Sequence, residues 1–297
     1  MNNILTIDVE DWYQSSIEII DPESVDSGSP IMPGESVVYN TRRLISILAE
    51  YGVHATCFIL GTVAEKFPEL IREIRNAGHE IATHGYGHQL LYKLTPDLFR
   101  IDLKRSIKLL ESLTDRKVCG YRAPYFSITP KSAWAFEILG ECSIDYDSSI
   151  FPIRHKLYGF PGIECFPHKL KIGNRELCEF PISTISVLNQ KLPVGGGGYF
   201  RIFPYSFIKR SIKKINSLGK AFVFYLHPYE LDVEELKNPL VNENIRLRWI
   251  RLTQDFKRNT VETKLRKLLT DFQFTSIEEW LRNSTLLSAR QKFKKNT

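Results

Sequence analysis

The chain has 297 residues, 43% hydrophobic and 25% charged, with a net charge of +6 at pH 7, the balance of an ordinary globular protein, which does not favour disorder outside the basic C-terminal tail. Its basic residues form no stripe outside a C-terminal stretch (Arg290, Gln291, Lys292, Phe293, Lys294, Lys295), so no nucleic-acid partner is expected. Five cysteines without a Cys-x-x-Cys pair argue against a zinc knuckle and against a secreted disulfide framework.

Met-Asn-Asn leads straight into an apolar run, with no basic n-region, so no signal peptide is evident and a cytoplasmic location is expected. No later segment reaches the length of a membrane span. Short β-rich apolar runs alternate with longer amphipathic stretches, the pattern of βα units around parallel strands. Residues 4 to 8 read as a strand, 37 to 51 as a helix, 55 to 60 as a second strand, and 64 to 77 as one helix stopped by Gly78. A third strand follows at 80 to 83, then a helix over 97 to 113 opened by Thr95 and Pro96. A strand at 118 to 121 precedes another helix opened by Pro130. Further strands are predicted at 143 to 146, 179 to 182 and 222 to 226, with a helix over 204 to 218. Residues 152 to 177 have weak periodicity and read as an active-site loop or a small excursion. The segment from 245 to 280 reads as a basic strand-like run and a helix over 261 to 269. The tail reads as solvated charge, with peripheral contact to an anionic membrane as the second reading.

Polar residues cluster where strands end: Asp8 and Glu10, His84, Arg122, Asp147 and His227. In a parallel barrel these ends share one face, where active sites are built. His84-Gly-Tyr-Gly-His88 has two glycines and suits a loop better than a helix, and such a loop can fold both rings onto one metal ion. The pattern alone is equally compatible with two unrelated loop histidines. Asp8-Val-Glu10-Asp11 ends an apolar strand; alternation puts Asp8 and Glu10 on one face and Asp11 on the other. One carboxylate can then bind metal while its neighbour takes a proton, although an aspartate there can also serve as a simple cap. Arg122 can orient Asp8, or form an ordinary rim salt bridge. His227 can donate a proton to a leaving amine, or be a satisfied core histidine. Gly195 to Gly198 is followed by no Gly-Lys-Ser/Thr, so a substrate loop or a tight backbone approach is expected in place of a phosphate loop.

An acidic cluster, His-x-x-x-His, Arg-x-Pro-Tyr, an Asp-bearing strand end and Leu-His, in that order, resemble the five motifs of the polysaccharide deacetylases (NodB homology, carbohydrate esterase family 4). The Gly195-Gly-Gly-Gly-Tyr-Phe-Arg201 run and residues 264 to 274 are similar to the C-terminal extension of the exopolysaccharide-locus branch. The resemblance implies a distorted (β/α) barrel of about seven parallel strands over residues 1–240, an extension packed on it over 241–284, and a basic tail over 285–297. It implies a divalent metal held by His84, His88 and a carboxylate. Many members carry two adjacent aspartates in the first motif; here Val9 follows Asp8, so the ligand is Glu10 or Asp11, with Glu10 favoured by face. The ion expected is Zn2+, with Fe2+, Co2+, Ni2+ and Mn2+ as alternatives. The implied roles are Asp8 as base, His227 as acid, Arg122 orienting Asp8, Asp147 orienting His227, and Pro124, Tyr125 and Leu226 shaping the acetyl pocket. The implied activity is hydrolysis of the N-acetyl group of a sugar in a polysaccharide or lipid-linked glycan precursor, with the glycan as partner. A small-amide hydrolase acting on a cyclic ureide or formamide, or a silent glycan-binding protein, would share the pattern.

Overall fold

The structure is a computed structural model, describing residues 2–14, 32–155, 158–237, 245–284 and 286. Strand β1 (Asn3–Val9) is followed by helix α1 (Ser36–Glu50) and β2 (Thr56–Ile59). The predicted helix over 64 to 77 is two helices, α2 (Gly61–Lys66) and α3 (Pro68–Asn76). Pro68 has no N–H with which to extend α2, and the residue before it, Phe67, sits outside the helical region at φ −128°, ψ 61°. After β3 (Glu80–Thr83) comes α4 (Pro96–Thr114), where the Thr95 hydroxyl accepts from the Leu98 N–H at 3.3 Å as the N-cap. β4 (Gly120–Tyr121) follows. The helix expected at Pro130 starts as a 3₁₀ turn (Pro130–Ser132) and becomes α5 only at Ala135–Glu141, before β5 (Tyr146–Asp147).

The weakly periodic stretch ends in an antiparallel hairpin, β6 (His168–Ile172) with β7 (Arg175–Glu179), so the strand expected at 179 to 182 begins earlier. A separate hairpin, β8 (Thr184–Val187) with β9 (Gln190–Pro193), leads to α6 (Gly197–Ile202), α7 (Tyr205–Ser217) and β10 (Val223–Leu226). The strand-like run at 245 is helix α8 (Ile245–Asp255). Its alternation of apolar and charged residues suits a strand only if a sheet receives one face. Here the helix is anchored by hydrogen bonds instead, from Arg251 to Leu236 O and from Arg201 to Gln254. α9 (Val261–Asp271), β11 (Phe274–Thr275) and α10 (Ile277–Asn283) complete the described chain.

The main sheet runs β10-β1-β2-β3-β4-β5-β7-β6, with β11 beside the start of β1. From β10 to β7 all six neighbouring pairs are parallel, and only the edge strand β6 is antiparallel. This is the curled parallel sheet expected from the sequence. Irregular backbone spans the gap between β7 and β10. Ile182 N–H donates to Ile150 O at 3.0 Å, Ser183 N–H to Val223 O at 3.3 Å, and Tyr225 N–H to Gly195 O at 2.8 Å. A Cβ on Gly195 would lie 2.3 Å from Val223 O, so the glycine run is a tight backbone approach.

Alternation along the strands makes two apolar layers. Leu5, Ile7, Phe224 and Leu226 face the helices, while Ile4, Phe58, Val223 and Tyr225 fill the barrel. The C-terminal helix α10 belongs to the inner layer: Ile277 and Leu281 are fully buried there. Ile277 N–H donates to Thr56 Oγ1 (2.7 Å) and Glu278 N–H to Glu80 Oε2 (2.8 Å), at the first residues of β2 and β3. The helix therefore closes the end of the barrel opposite the strand C-termini. The 240/241 boundary and most of the tail lie outside the described residues, as do all the tail's basic side chains. Among the described residues, no helix is long and apolar enough to cross a membrane. Leu281→Ala is expected to destabilise the fold by about 2–4 kcal/mol, because it empties a packed site at the barrel's closed end; urea denaturation followed by circular dichroism measures it.

Candidate active site

Asp8 follows Thr6 on the inner face of β1, flanked by β10 and β2. Arg122, just past β4, is completely buried and reaches across the barrel to it: Nη1 lies 2.5 Å from Asp8 Oδ1 and 2.9 Å from Thr6 Oγ1. Its Nε donates to Ser148 O (2.9 Å) and Nη2 to Ser148 Oγ (2.7 Å), and the guanidinium lies 4.2 Å from the centre of the Phe58 ring. With three strands gripping one planar cation, the Asp8 carboxylate is held in a single orientation.

Glu10, one pleat further along the same face, meets three imidazoles. Its Oε2 is 2.7 Å from His88 Nε2 and 3.9 Å from His84 Nε2, and its Oε1 is 3.3 Å from His227 Nε2. Burial works to raise the Glu10 carboxyl, but His88, His227 and His84 outweigh it and hold it below the usual carboxylate range. His84 Nδ1 is 2.8 Å from the Arg122 carbonyl, which fixes the proton on Nδ1 and turns the Nε2 lone pair towards Glu10. Burial pushes the His84 imidazole down to about 3, so it is neutral at physiological pH. The His84–His88 loop hangs on Asp102 of α4, whose carboxylate accepts from Tyr86 N–H (2.8 Å) and Gly87 N–H (3.2 Å). His88 itself takes the left-handed conformation, φ 57°.

The atoms that Glu10, His84 and His88 offer all lie within 4.8 Å of one another, the one such group of three among the described residues. Glu10 Oε2 is buried, and among the described residues only His88 Nε2, at 2.7 Å, approaches it closely, without well-formed hydrogen-bond geometry. A buried carboxylate oxygen that faces two imidazole nitrogens in this way fits a divalent cation, and the set is a usual one for it. Asp11 does not join it. Its side chain is on the other face, where it accepts from Gln14 N–H (2.9 Å) and Gly34 N–H (2.6 Å) and closes a turn.

Two other expectations change. Asp147 does not reach His227: alternation turns it to the helix side of the sheet, paired in register with Glu179, where it accepts from Ser149 N–H (2.9 Å) and Oγ–H (2.6 Å). Ser149 Oγ in turn accepts from Ala123 N–H at 2.7 Å, so Asp147 supports the loop after Arg122. Leu226, expected in the acetyl pocket, points with Phe222 and Phe224 into the layer under the helices. Its neighbour Tyr225 takes the inner position, with ring centroids 4.8 Å from Phe126 and 5.5 Å from His227. Pro124 is buried at the base of the loop. Tyr125 and Phe126 are both left-handed at φ 53°, which costs about 1–3 kcal/mol each and recurs at functional sites. The Tyr125 ring sits 4.9 Å from His88.

The carboxylate behind His227 is Glu230. Its Oε2 lies 3.4 Å from His227 Nδ1 and accepts the His227 N–H at 3.1 Å, while Oε1 is 3.2 Å from Arg201 Nε. Burial disfavours a charged His227, but Glu230, Glu10 and Asp8 outweigh it and raise the imidazole above its ordinary value. A Cβ on Gly197 would fall 1.8 Å from Glu230 Oε2, so glycine is needed where the carboxylate lies against the backbone. The sequence signal was present: a glutamate three residues after a strand-end histidine reaches back to it in capping-box fashion.

Residues 25–140 match the sequence family described as polysaccharide deacetylase, and residues 148–282 match a domain of unknown function, DUF3473. A peptidoglycan-N-acetylglucosamine deacetylase of Bacillus cereus is 35% identical over 98 residues, 33% of this chain and 36% of that one. A peptidoglycan deacetylase of Helicobacter pylori is 32% identical over 108 residues, 36% of each chain. The chain thus spans little more than a third of the length of these relatives. Two solved structures share the fold. A Mycobacterium smegmatis protein described as a candidate polysaccharide deacetylase has TM-score 0.60 at 24% identity, covering 94% of this chain and 88% of that one. An allantoinase has TM-score 0.57 at 14% identity, covering 96% and 92%. If Glu10 is the carboxylate ligand, Glu10→Gln purifies with its divalent metal content reduced about tenfold or more, while Asp11→Asn retains it; elemental analysis of both proteins measures this.

Proposed function

We propose that the chain acts as a polysaccharide deacetylase, hydrolysing the N-acetyl group of an N-acetylated sugar in a polysaccharide or lipid-linked glycan precursor and releasing acetate; the match of residues 25–140 to that family supports this reading. The observation that carries this reading is the convergence, at one end of the barrel, of an Arg-bound aspartate, a Glu-His-His cluster and a carboxylate-backed histidine. A divalent cation held by Glu10, His84 and His88 would supply Lewis-acid polarisation of the amide carbonyl and acidification of a water. Zinc suits the His₂-carboxylate set, and iron, cobalt, nickel and manganese are the other candidates.

Asp8, oriented by Arg122, takes the proton of the attacking water as the C–O bond forms. By resemblance to the family, the Tyr125 backbone N–H is assigned as a donor to the developing oxyanion. His227, held by Glu230 and enriched in its protonated form, gives its proton to the sugar nitrogen as the C–N bond breaks, leaving acetate and a free amine. Tyr225 and Phe126 supply apolar walls suited to an acetyl methyl. The motif similarity to the exopolysaccharide-locus branch favours a precursor of a surface polysaccharide as the substrate.

Asp8→Asn is expected to lower acetate release by about 10²–10⁴-fold with metal content unchanged; acetate measured beside elemental analysis tests it. Retained turnover would remove Asp8 from the base role, and hydrolysis of cyclic ureides in place of acetylated glycans would overturn the substrate class. The pH profile tests the acid. Glu230 helps hold the His227 proton, so Glu230→Gln lowers the His227 pKa. The alkaline limb of kcat/KM then moves to lower pH.

A further inference from the structure

Helix α8 turns an apolar stripe away from the barrel it rests on. Its barrel side is anchored by polar contacts beside the half-buried Ile250: Arg251 donates from Nη1 to Leu236 O at 2.8 Å, and Gln254 Oε1 accepts from Arg201 Nη2 at 3.2 Å. Arg258, one turn further and almost fully buried, donates to the carbonyls of Gln254, Tyr229 and Asp232. Its outward face is apolar: Ile245 is 81% exposed, Trp249 67%, Leu252 51% and Phe256 53%. The spacings of four, three and four put these side chains within roughly 60° of one another at 3.6 residues per turn. Phe256 N–H still donates to Leu252 O at 3.1 Å, so the stripe continues into the last turn. Ile202 of α6, 51% exposed, extends the patch; its carbonyl accepts from Lys257 Nζ at 3.4 Å. A surface helix ordinarily buries such a stripe.

We propose that this face of α8 docks on an anionic lipid surface. The charge around the stripe selects that occupant. Arg248 and Lys257 are exposed on either side of it, and Asp255 is the one acid in the helix. An aromatic and aliphatic face flanked by cations is the composition of helices that lie in the plane of a bilayer interface. A second copy of the chain fits poorly. Four or five side chains fall well short of the roughly 800 Å² per partner of a stable interface, and a symmetric pair would bring like charges together. The basic C-terminal tail has the same sign as Arg248 and Lys257 and is repelled by them. α8 follows β10, so it sits at the strand-end rim that bears His227, and Arg258 reaches the turn immediately after that histidine. Docking therefore brings the catalytic end of the barrel to the bilayer, where a glycan on a lipid carrier would be presented.

The test is co-sedimentation of the full chain with phosphatidylcholine vesicles, with and without phosphatidylglycerol, at low and high salt. The protein is expected to bind the phosphatidylglycerol vesicles, and more weakly as salt screens the cations. Trp249→Ser/Phe256→Ser is expected to lower that partitioning by about tenfold or more while the melting temperature stays unchanged. Hydrolysis of a soluble acetylated oligosaccharide serves as a separate readout, so failure of the deacetylase reading and failure of docking are distinguished. Absence of binding to either vesicle, or full binding by the double variant, overturns the proposal. So does a concentration-dependent dimer that the double variant abolishes, because the face would then be a contact between copies.

Discussion

The site depends on one buried ion pair, Arg122 with Asp8. Both partners are almost wholly removed from water, and such a pair persists only if the remaining hydrogen-bonding capacity is filled. Here Thr6, Ser148 Oγ and Ser148 O take three of the other four guanidinium protons, and the Phe58 face covers the cation. Those partners come from β1, β2 and the chain after β5. One side chain thereby ties opposite walls of the barrel together and fixes the position of the carboxylate assigned as the base. The backbone of the same residue also sets the tautomer of His84 through its carbonyl. The proposed base and the proposed metal ligand are thus referred to a single rigid point, as a preorganised site requires.

The rest of the site is held by groups set back from it. Asp102 grips the loop that carries the two histidines, and Asp147 acts through Ser149 on the loop that carries Tyr125. Glu230 fills the place behind His227 that the family resemblance assigned to Asp147. It brings Arg201 with it, and Arg201 is in turn bonded to Gln254 of α8. The C-terminal segment therefore does two structural jobs. Through α10 it fills the closed end of the barrel, and through α8 and Arg258 it buttresses the rim at the open end.

The βα alternation, the strand-end polar residues and the placement of Glu10, not Asp11, on the face of Asp8 were legible in the sequence, because a strand's period of two fixes which residues share a face. The same rule applied to β10 assigns Tyr225 in place of Leu226 to the inner wall, and applied to β5 it turns Asp147 away from His227. Those two assignments came from motif resemblance, which carries roles but not side-chain direction. The break at Pro68 was also readable, since proline's missing N–H is a local property.

Other features were not local. Why Gly195 and Gly197 have no room for a side chain, and why the alternating run at 245 folds as a helix, depend on segments far apart in the chain. Gly195 is constrained by Val223 of β10, Gly197 by Glu230, and α8 by Arg201 and Leu236. The sequence determined the chemical groups and the faces they occupy, because chirality and periodicity act between neighbours. Only the tertiary structure decided which groups meet, because contacts across a closed barrel depend on strand order and register, which no local pattern encodes.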